Sequence, residues 1–489
     1  MPDHILVIDA GTTSTRAMMF APDGKVLRVS QAELTQHYPR PGRVEHDAAE
    51  IWTRTLACAR DVLGEDGAAV AAIGITNQRE TVVAWDRRSG EPVHRALVWQ
   101  DRRTAARCDE LRAAGHEDLV RERTGLVLDP YFSGTKIEWL LRNGGPAVAS
   151  AAFGTIDSWL VYKLTGEHVT DYSNASRTLL FDIRKLEWDP ELCELLGVSP
   201  DSLPAPKPSA HVYGTTNVFG GEVPVAGIGG DQQAALFGQA CHAPGDAKNT
   251  YGTGSFVLLN AGTEVPEPAE GLLTTVAWGL DGEVDYALEA AVFVTGAAVQ
   301  WLRDGIGTIE DAAETEALAA GLDSNDGVYF VPALTGLGSP WWDPYARGAI
   351  VGLTRGTGRA HLARAALEAI AYQTLDAVRA QERAAGKALV ALRADGGAVA
   401  NAWLMQFQAD MLGVPVIVPE ISETTALGAA YLAGIGTGTW TQEDVRAMWR
   451  ERATYEPRMS ADERESLHAR WLDAVGRSRG WAGAEAAVG

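Results

Sequence analysis

The stretch Ile5 to Arg16, ILVIDAGTTSTR, constrains the fold more than any other part of the chain. Ile5, Leu6, Val7 and Ile8 form a continuous apolar run, the pattern of a strand buried on both faces. Asp9 stands at its end, and Gly11 turns the chain. Thr12, Thr13, Ser14 and Thr15 crowd hydroxyls and backbone N–H groups into the turn, and Arg16 adds a fixed positive charge. A second run, Thr15 to Phe20, leads to the turn signal Pro22-Asp23-Gly24. Strand, hydroxyl-rich turn, strand is an arrangement that can aim donors at phosphate oxygens. The Asp9 carboxylate could hold a hydrated Mg²⁺ beside them. Taken alone, the same residues read first as a Gly-Thr hairpin with a capped strand end. Three later stretches reverse that order.

The opening pattern recurs. Ala247 to Thr250 leads into Tyr251-Gly252-Thr253-Gly254-Ser255 and then the apolar run Phe256 to Leu259. Two such turns, each opening one half of the chain, point to internal duplication. The loop-like composition from Ala240 to Gly245 places the boundary between lobes 1–240 and 241–489. Ahead of it, a strand over Val223–Ile228 runs into Gly229-Gly230-Asp231-Gln232-Gln233 and a helix. The two glycines let backbone pass close to a ligand. Asp231 is then either a simple N-cap or a general base that takes the proton of an attacking hydroxyl. In the second half, a strand over Leu389–Ala394, the turn Asp395-Gly396-Gly397 and a helix over Asn401–Met411 make either a plain βα turn or a bare backbone surface for adenine and ribose. Gly296, in a helix over Gly296–Trp301, permits close approach of a planar group.

Between these landmarks, Asp47 caps a helix through Ile51, Leu56 and Val62. Strands are expected over Val70–Thr76 and Thr81–Trp85, with Arg79 and Glu80 between them. An adjacent Arg and Glu at a strand end offer a donor fork beside an acceptor, suited to neighbouring hydroxyls; as an isolated dipeptide they read as a surface ion pair. Trp99 is either a pocket wall or core. A helix is expected to start at Asp129 and to carry Ile137, Leu140 and Leu141 on one face. Asp171 to Thr178, DYSNASRT, reads as a polar loop without an assigned role. Arg359 to Arg383 is a long amphipathic helix stopped near Gly386, and the tail Ala482 to Gly489 is expected to fray.

At 489 residues the chain has material for two or more domains. A formal charge of −22 opposes non-specific nucleic-acid binding, so a bound nucleotide must be met by local donors and a metal. Cys58, Cys108, Cys193 and Cys241 are far apart, with no CxxC or zinc spacing, and read as buried free thiols. No signal peptide and no membrane span are read, so cytoplasm is the expected compartment. GxxxxGK[ST], HRD, DFG and HExxH are all missing from the sequence.

Together, IDAGTTSTR, ITNQRET, VWQDRRT, DPYFSGTK, DYSNASRT, GDQQAALFGQ, KNTYGTG, WWDPYARGAI and DGGAVANAWLMQFQ appear in an order that resembles the glycerol kinases of the FGGY carbohydrate kinase family. The spacing Tyr131-x-Ser133-x-x-Lys136-Ile137-x-Trp139-Leu140 is similar to one family signature, and Gly348 to Glu368 to the other. The resemblance implies an α/β, two-lobed actin- and hexokinase-type ATPase. Each lobe would have a ribonuclease-H-like core, with the ligands in the cleft between lobes. It implies transfer of the ATP γ-phosphate to glycerol with Mg²⁺. Arg79, Glu80, Tyr131, Asp231 and Gln232 would bind glycerol between the apolar walls Trp99 and Phe256. Thr12, Thr13, Ser14 and Arg16 would meet phosphates. Thr253, Gly296, Gln300, Gly397 and Asn401 would hold the nucleotide, with Asp9 and Asp231 near the metal and Asp231 the catalytic base.

Ala10 departs from the Gln common in such kinases. The segment Tyr213 to Pro224 is short and lacks Arg, and Asn217 stands where some relatives carry a phosphorylated His. Control by fructose 1,6-bisphosphate or by phosphorylation is therefore not expected. A homodimer or homotetramer is left open. Two other readings compete: a kinase for another small polyol or a ketose, and an actin-like or chaperone-like nucleotide switch. The switch leaves Arg79, Glu80 and Tyr131 without a task.

Overall fold

Ile5, Leu6, Val7 and Ile8 are fully buried, as a continuous apolar run in a central strand requires. The computed structural model describes residues 4–64 and 70–483. Around the strand His4–Ala10 lies a six-stranded sheet in the spatial order Ala210–Thr216, Val223–Gly230, Val70–Asn77, His4–Ala10, Ser14–Phe20, Val26–Glu33. The last three strands form an antiparallel meander, whereas Val70–Asn77 and Val223–Gly230 run parallel to the first strand.

The second half repeats this plan. Ala247–Tyr251 pairs antiparallel with Ser255–Gly262, which pairs antiparallel with Glu283–Val292. On its other side Ala247–Tyr251 runs parallel to Leu392–Gly396, and that strand parallel to Val416–Pro419. Leu273–Leu280 and Glu451–Tyr455 extend the two edges to give seven strands. The duplication expected from the two turns is thus present in strand order and direction.

The halves share a core. Ile5, Val7, Met18 and Phe20 of the first sheet and Leu258, Trp278 and Ala287 of the second belong to one buried apolar cluster. Two helices, Asp231–Gly238 and Thr424–Gly436, contribute Leu236, Phe237, Ala426, Ala429 and Leu432 to it. They meet backbone to backbone. A Cβ on Gly238 would lie 2.0 Å from the Thr424 carbonyl oxygen, and one on Gly428 would lie 1.8 Å from that of Ala234. The helix Thr424–Gly436 also packs on strands of the first sheet, although in sequence it lies between two strands of the second, Val416–Pro419 and Glu451–Tyr455.

Several expectations shift. The helix expected from Asp129 begins at Ser133. The Lys136 ammonium donates back to the carbonyls of Pro130, Tyr131 and Phe132 at 2.5, 2.7 and 3.1 Å. Asp129 Oδ1 accepts the Tyr131 N–H at 2.8 Å. Both hold 130–132 as a loop. The second-half strand covers Leu392–Gly396, later than its apolar run suggested. Asp231 is the first residue of its helix, with Gly230 as the N-cap. Asp47 caps Ala48–Leu63 as expected, through the Ala49 and Glu50 N–H groups. Gly386 closes Arg359–Ala385 in the left-handed conformation at φ 62°. The four cysteines are free and buried. Most of the tail expected to fray, from 484 on, lies outside the described residues. Among the described residues no helix is long and apolar enough to cross a membrane.

DYSNASRT is not an exposed loop: Asp171, Ser173, Asn174 and Arg177 are all fully buried. Asp171 accepts from the N–H groups of Ser173 and Asn174 and from Ser209 Oγ. Burial, with the Asp171 charge nearby, pushes Asp157 up to about 7, while Thr155 and Thr170 donate to it. A carboxyl raised in the folded state stabilises fully below its unfolded value of about 3.9, and that contribution disappears as pH rises through about 7. Asp157→Asn keeps the shape and one acceptor, its amide donating to the other threonine hydroxyl once that hydroxyl turns, and removes the titration. The expected result is a flatter melting-temperature profile between pH 4 and pH 7, read by thermal denaturation.

Candidate active site

Two turns and one buried charge cluster build the site. In the first turn, Gln36 Nε2 donates to the Thr12 carbonyl at 2.8 Å and Gln78 Nε2 to that of Gly11 at 2.9 Å. The Trp99 indole N–H donates to Thr12 Oγ1 at 3.0 Å. The carbonyls are thus held, while the Thr12 and Thr13 N–H groups have no partner among the described residues. Ser14 Oγ accepts from Gln31 at 3.1 Å. Arg16 binds Asp9 Oδ2 through Nε at 3.1 Å and Nη2 at 2.5 Å, and Glu423 of the second half through Nη1 at 2.6 Å. Burial raises the Asp9 carboxyl against the pull of Arg16, and the Asp231 charge, close enough to be felt, raises it further.

The second turn docks on the helix Gly296–Gln300. The N–H groups of Thr295 and Ala297 donate to the Thr253 carbonyl, and that of Gly296 to Gly252. A Cβ on Gly296 would stand 2.6 Å from the Gly252 oxygen, so the close approach here is to the chain itself. Thr253, Gly296, Gln300, Gly397 and Asn401 all line one cleft of about 440 Å³, whose walls also include Val299, Leu367, Ile370 and Leu404. Asn401 caps the helix Ala402–Leu412 and donates to Thr315 Oγ1 at 3.2 Å. Gly296→Ala is therefore expected to displace the second turn and to lower the melting temperature, read by thermal denaturation, because the added methyl must push the Gly252 carbonyl away.

Arg79 and Glu80, read in isolation as a surface pair, are 2% and 1% exposed. Arg79 Nη1 donates to Glu289 Oε2 at 2.5 Å, and Nη2 to Glu289 Oε1 at 3.2 Å and Tyr131 Oη at 3.3 Å. Its Nε faces Asp231 Oδ1 at 3.2 Å. Trp99 meets Tyr131 edge to face at 5.6 Å, and the Arg79 guanidinium lies 5.9 Å from the Phe256 ring. Glu80 adopts φ 62°, a conformation rare for a side chain of this kind. Ser133 Oγ holds its carbonyl at 2.9 Å, and Arg177 Nε holds its Oε1 at 2.7 Å. Burial would raise Glu289, but Arg177 and Arg79 outweigh it and bring the group down to about 2.

The remaining expected residue, Gln232, accepts from the fully buried Lys248 at 2.5 Å, and Lys248 also donates to Thr250 at 2.8 Å, one residue before the second turn. Burial brings Lys248 down to about 8. Sequence reasoning gave no role to Arg177, Lys136 or Lys248, although all lie in the stretches it singled out, and it passed over Glu289. Glu289 had a signal: it is a lone charge in the apolar run ALEAAV of a central strand, where it must find a cation.

A hydroxyl-rich strand–turn–strand unit opening each of two duplicated halves, with a buried charge cluster at their junction, defines a two-lobed kinase fold. The chain belongs to the FGGY family of carbohydrate kinases, whose N-terminal domain matches residues 4–238 and whose C-terminal domain matches residues 247–437. Within that family it is 55% identical to glycerol kinase 2 of Thermotoga maritima over 98% of this chain and 99% of the relative. It is 56% identical to the glycerol kinase of Dechloromonas aromatica, with 98% of each chain covered. The glycerol kinase of Plasmodium falciparum, solved with ADP, superposes with a TM-score of 0.93 at 35% identity, over 97% of this chain and 98% of that one. A xylulose kinase from Lactobacillus acidophilus shares the fold, with a TM-score of 0.88 at 21% identity over 98% of this chain and 99% of that one.

Proposed function

We propose that this chain transfers the γ-phosphoryl group of ATP to glycerol, giving sn-glycerol 3-phosphate and ADP. The observation that carries the reading is the junction of Arg79, Glu80, Tyr131 and Asp231, a guanidinium, a phenol and two carboxylates brought together from separate stretches of the chain. Relatives named glycerol kinase at 55% identity over nearly the whole chain support it. Glycerol has six heavy atoms, so at a ceiling of about 1.5 kcal/mol each it can supply at most about 9 kcal/mol. A ligand that small must have each hydroxyl matched, and the cluster offers both donors and acceptors in one place.

In this reading Asp231 takes the proton from the attacking hydroxyl, whose oxygen bonds to the γ-phosphorus as the bond to the ADP oxygen breaks. Thr12, Thr13, Ser14 and Arg16 meet the phosphates from the first lobe, and Thr253 from the second. Gly296, Gln300, Gly397 and Asn401 carry the nucleoside. Asp9 and Asp231 fit a hydrated Mg²⁺, because Asp9 Oδ1 has no hydrogen bond among the described residues while Oδ2 is taken by Arg16. Bound there, the ion would neutralise the β- and γ-phosphate charge. The first lobe, 1–240, would then carry the alcohol and the second, 241–489, the nucleotide. Burial of the alcohol as the lobes close would limit ATP hydrolysis by water.

A substrate panel at fixed ATP and Mg²⁺ tests the proposal. The expected kcat/KM for glycerol exceeds that for xylulose by about 10² or more, as a site built to pair each hydroxyl requires. ADP release without polyol is expected to be a minor fraction of the rate with glycerol. Equal ADP release with and without glycerol would assign the chain to the nucleotide-switch class instead.

A further inference from the structure

Four charged side chains, each at most 2% exposed, form a continuous chain at the junction of the lobes: Arg79, Glu289, Arg177 and Glu80. Glu289 comes from the second sheet, the other three from the first half. Its two oxygens take the Arg79 fork in parallel, and Oε1 also takes Arg177 Nη2 at 3.0 Å. Arg177 in turn spans to Glu80 Oε1, and its guanidinium lies 5.6 Å from the Tyr131 ring and 5.2 Å from that of Phe132. The four charges sum to zero, which makes their burial tolerable, but a buried ion-pair chain is weak evidence for stability alone. What it does fix is direction. Glu289 turns the remaining edge of Arg79 toward Tyr131 and Asp231. Arg177 occupies one oxygen of Glu80 and leaves Oε2 with no hydrogen bond among the described residues. Arg79 Nη1 also donates to Gln233 Oε1 at 3.3 Å, so a bound alcohol would compete for the edge shared with Tyr131 and Asp231, while Glu80 Oε2 is open; both belong to the pair assigned to the alcohol.

We propose that Arg177 and Glu289 are positioning residues for alcohol recognition, and that Glu289 makes the first lobe's alcohol-binding pair dependent on contact with the second lobe. The proposal rests on the reading of Arg79 and Glu80 as glycerol-binding residues. Neither Arg177 nor Glu289 needs to touch the alcohol. A bidentate carboxylate–guanidinium pair sets orientation as well as attraction, and loss of that orientation by about 1 Å costs on the order of 10² in rate or affinity.

Glu289→Gln tests this directly. The expected result is a glycerol KM raised about 10–100-fold, a kcat lowered by less than about fivefold and an ATP KM within about twofold of wild type. The charge-balanced Arg177→Gln/Glu289→Gln chain is expected to recover melting temperature relative to Glu289→Gln alone, yet to keep the raised glycerol KM. A merely structural role predicts that KM recovers together with the melting temperature. Arg177→Lys, which retains charge but cannot bridge two carboxylates in one plane, should also raise glycerol KM selectively. The proposal is overturned by an unchanged glycerol KM in a folded variant, by parallel rises for glycerol and ATP, or by failure of all three variants to fold. If wild-type protein turns over glycerol while its KM ignores Glu289→Gln, only this proposal fails. If wild-type protein does not phosphorylate glycerol, the reading beneath it fails as well.

Discussion

Asp231→Asn is expected to lower kcat for glycerol phosphorylation by about 10²–10⁴, the usual contribution of a general base, with little change in melting temperature. The second half of that statement follows from the placement of the residue. Asp231 opens the helix Asp231–Gly238, with its Oδ1 accepting the Gln232 N–H at 2.8 Å. Its side chain is 36% exposed, unlike the carboxylates around it, so it stands at the edge of the cleft and not in the core. Asn retains the shape and the acceptor for Gln232. It cannot take a proton from the attacking hydroxyl. Because Asp231 is also assigned to the alcohol and the metal, both KM values should rise, but by less than turnover falls, and steady-state kinetics over both substrates reads the split. Turnover near that of wild type would remove Asp231 from the role.

Arg79→Ala is expected to have the largest combined effect on binding and stability. Glycerol KM should rise by at least about 10², because the guanidinium edge that faces Tyr131 and Asp231 is gone, while ATP KM changes far less. Folding stability should fall by about 3–5 kcal/mol, since Glu289 stays fully buried with one guanidinium in place of two. The pH dependence distinguishes this mechanism from loss of packing. In the wild-type protein Glu289 lies at about 2, below its ordinary 4.5, so it stabilises above about 4.5 and that contribution is lost as pH falls through about 2. Removing Arg79 raises Glu289 and shrinks the contribution. The melting-temperature gap between wild type and Arg79→Ala should therefore be wider at pH 7 than at pH 3. Equal losses for glycerol and ATP would contradict the alcohol-binding role.

Much of the architecture could be read locally. The run Ile5–Ile8, the hydroxyl turn after it and the recurrence at Tyr251–Ser255 each specify strand, turn and strand within about a dozen residues, because a short continuous apolar run and turn chemistry are local signals. Asp47 and Gly386 mark helix ends for the same reason. The start of the helix at Ser133 was not legible, because it depends on an ammonium folding back over three carbonyls. DYSNASRT misled in the same way. Its polarity suggests solvent, but its partners are Ser209, Glu80 and Glu289, drawn from elements far along the chain.

The sequence by itself determined the repeated strand–turn–strand units and the family to which they belong. Through resemblance to relatives it also supplied the residues of both turns and of the cluster proposed to bind the alcohol. Only the tertiary structure decided that Arg79 is bound to Glu289 across 210 positions, that Arg177 joins the cluster, and that the helix Thr424–Gly436 packs on the first sheet. The physical reason is one of range. Propensity and turn geometry act between neighbours, whereas a buried charge is satisfied by whichever opposite charge the completed fold delivers, and no local pattern encodes that partner.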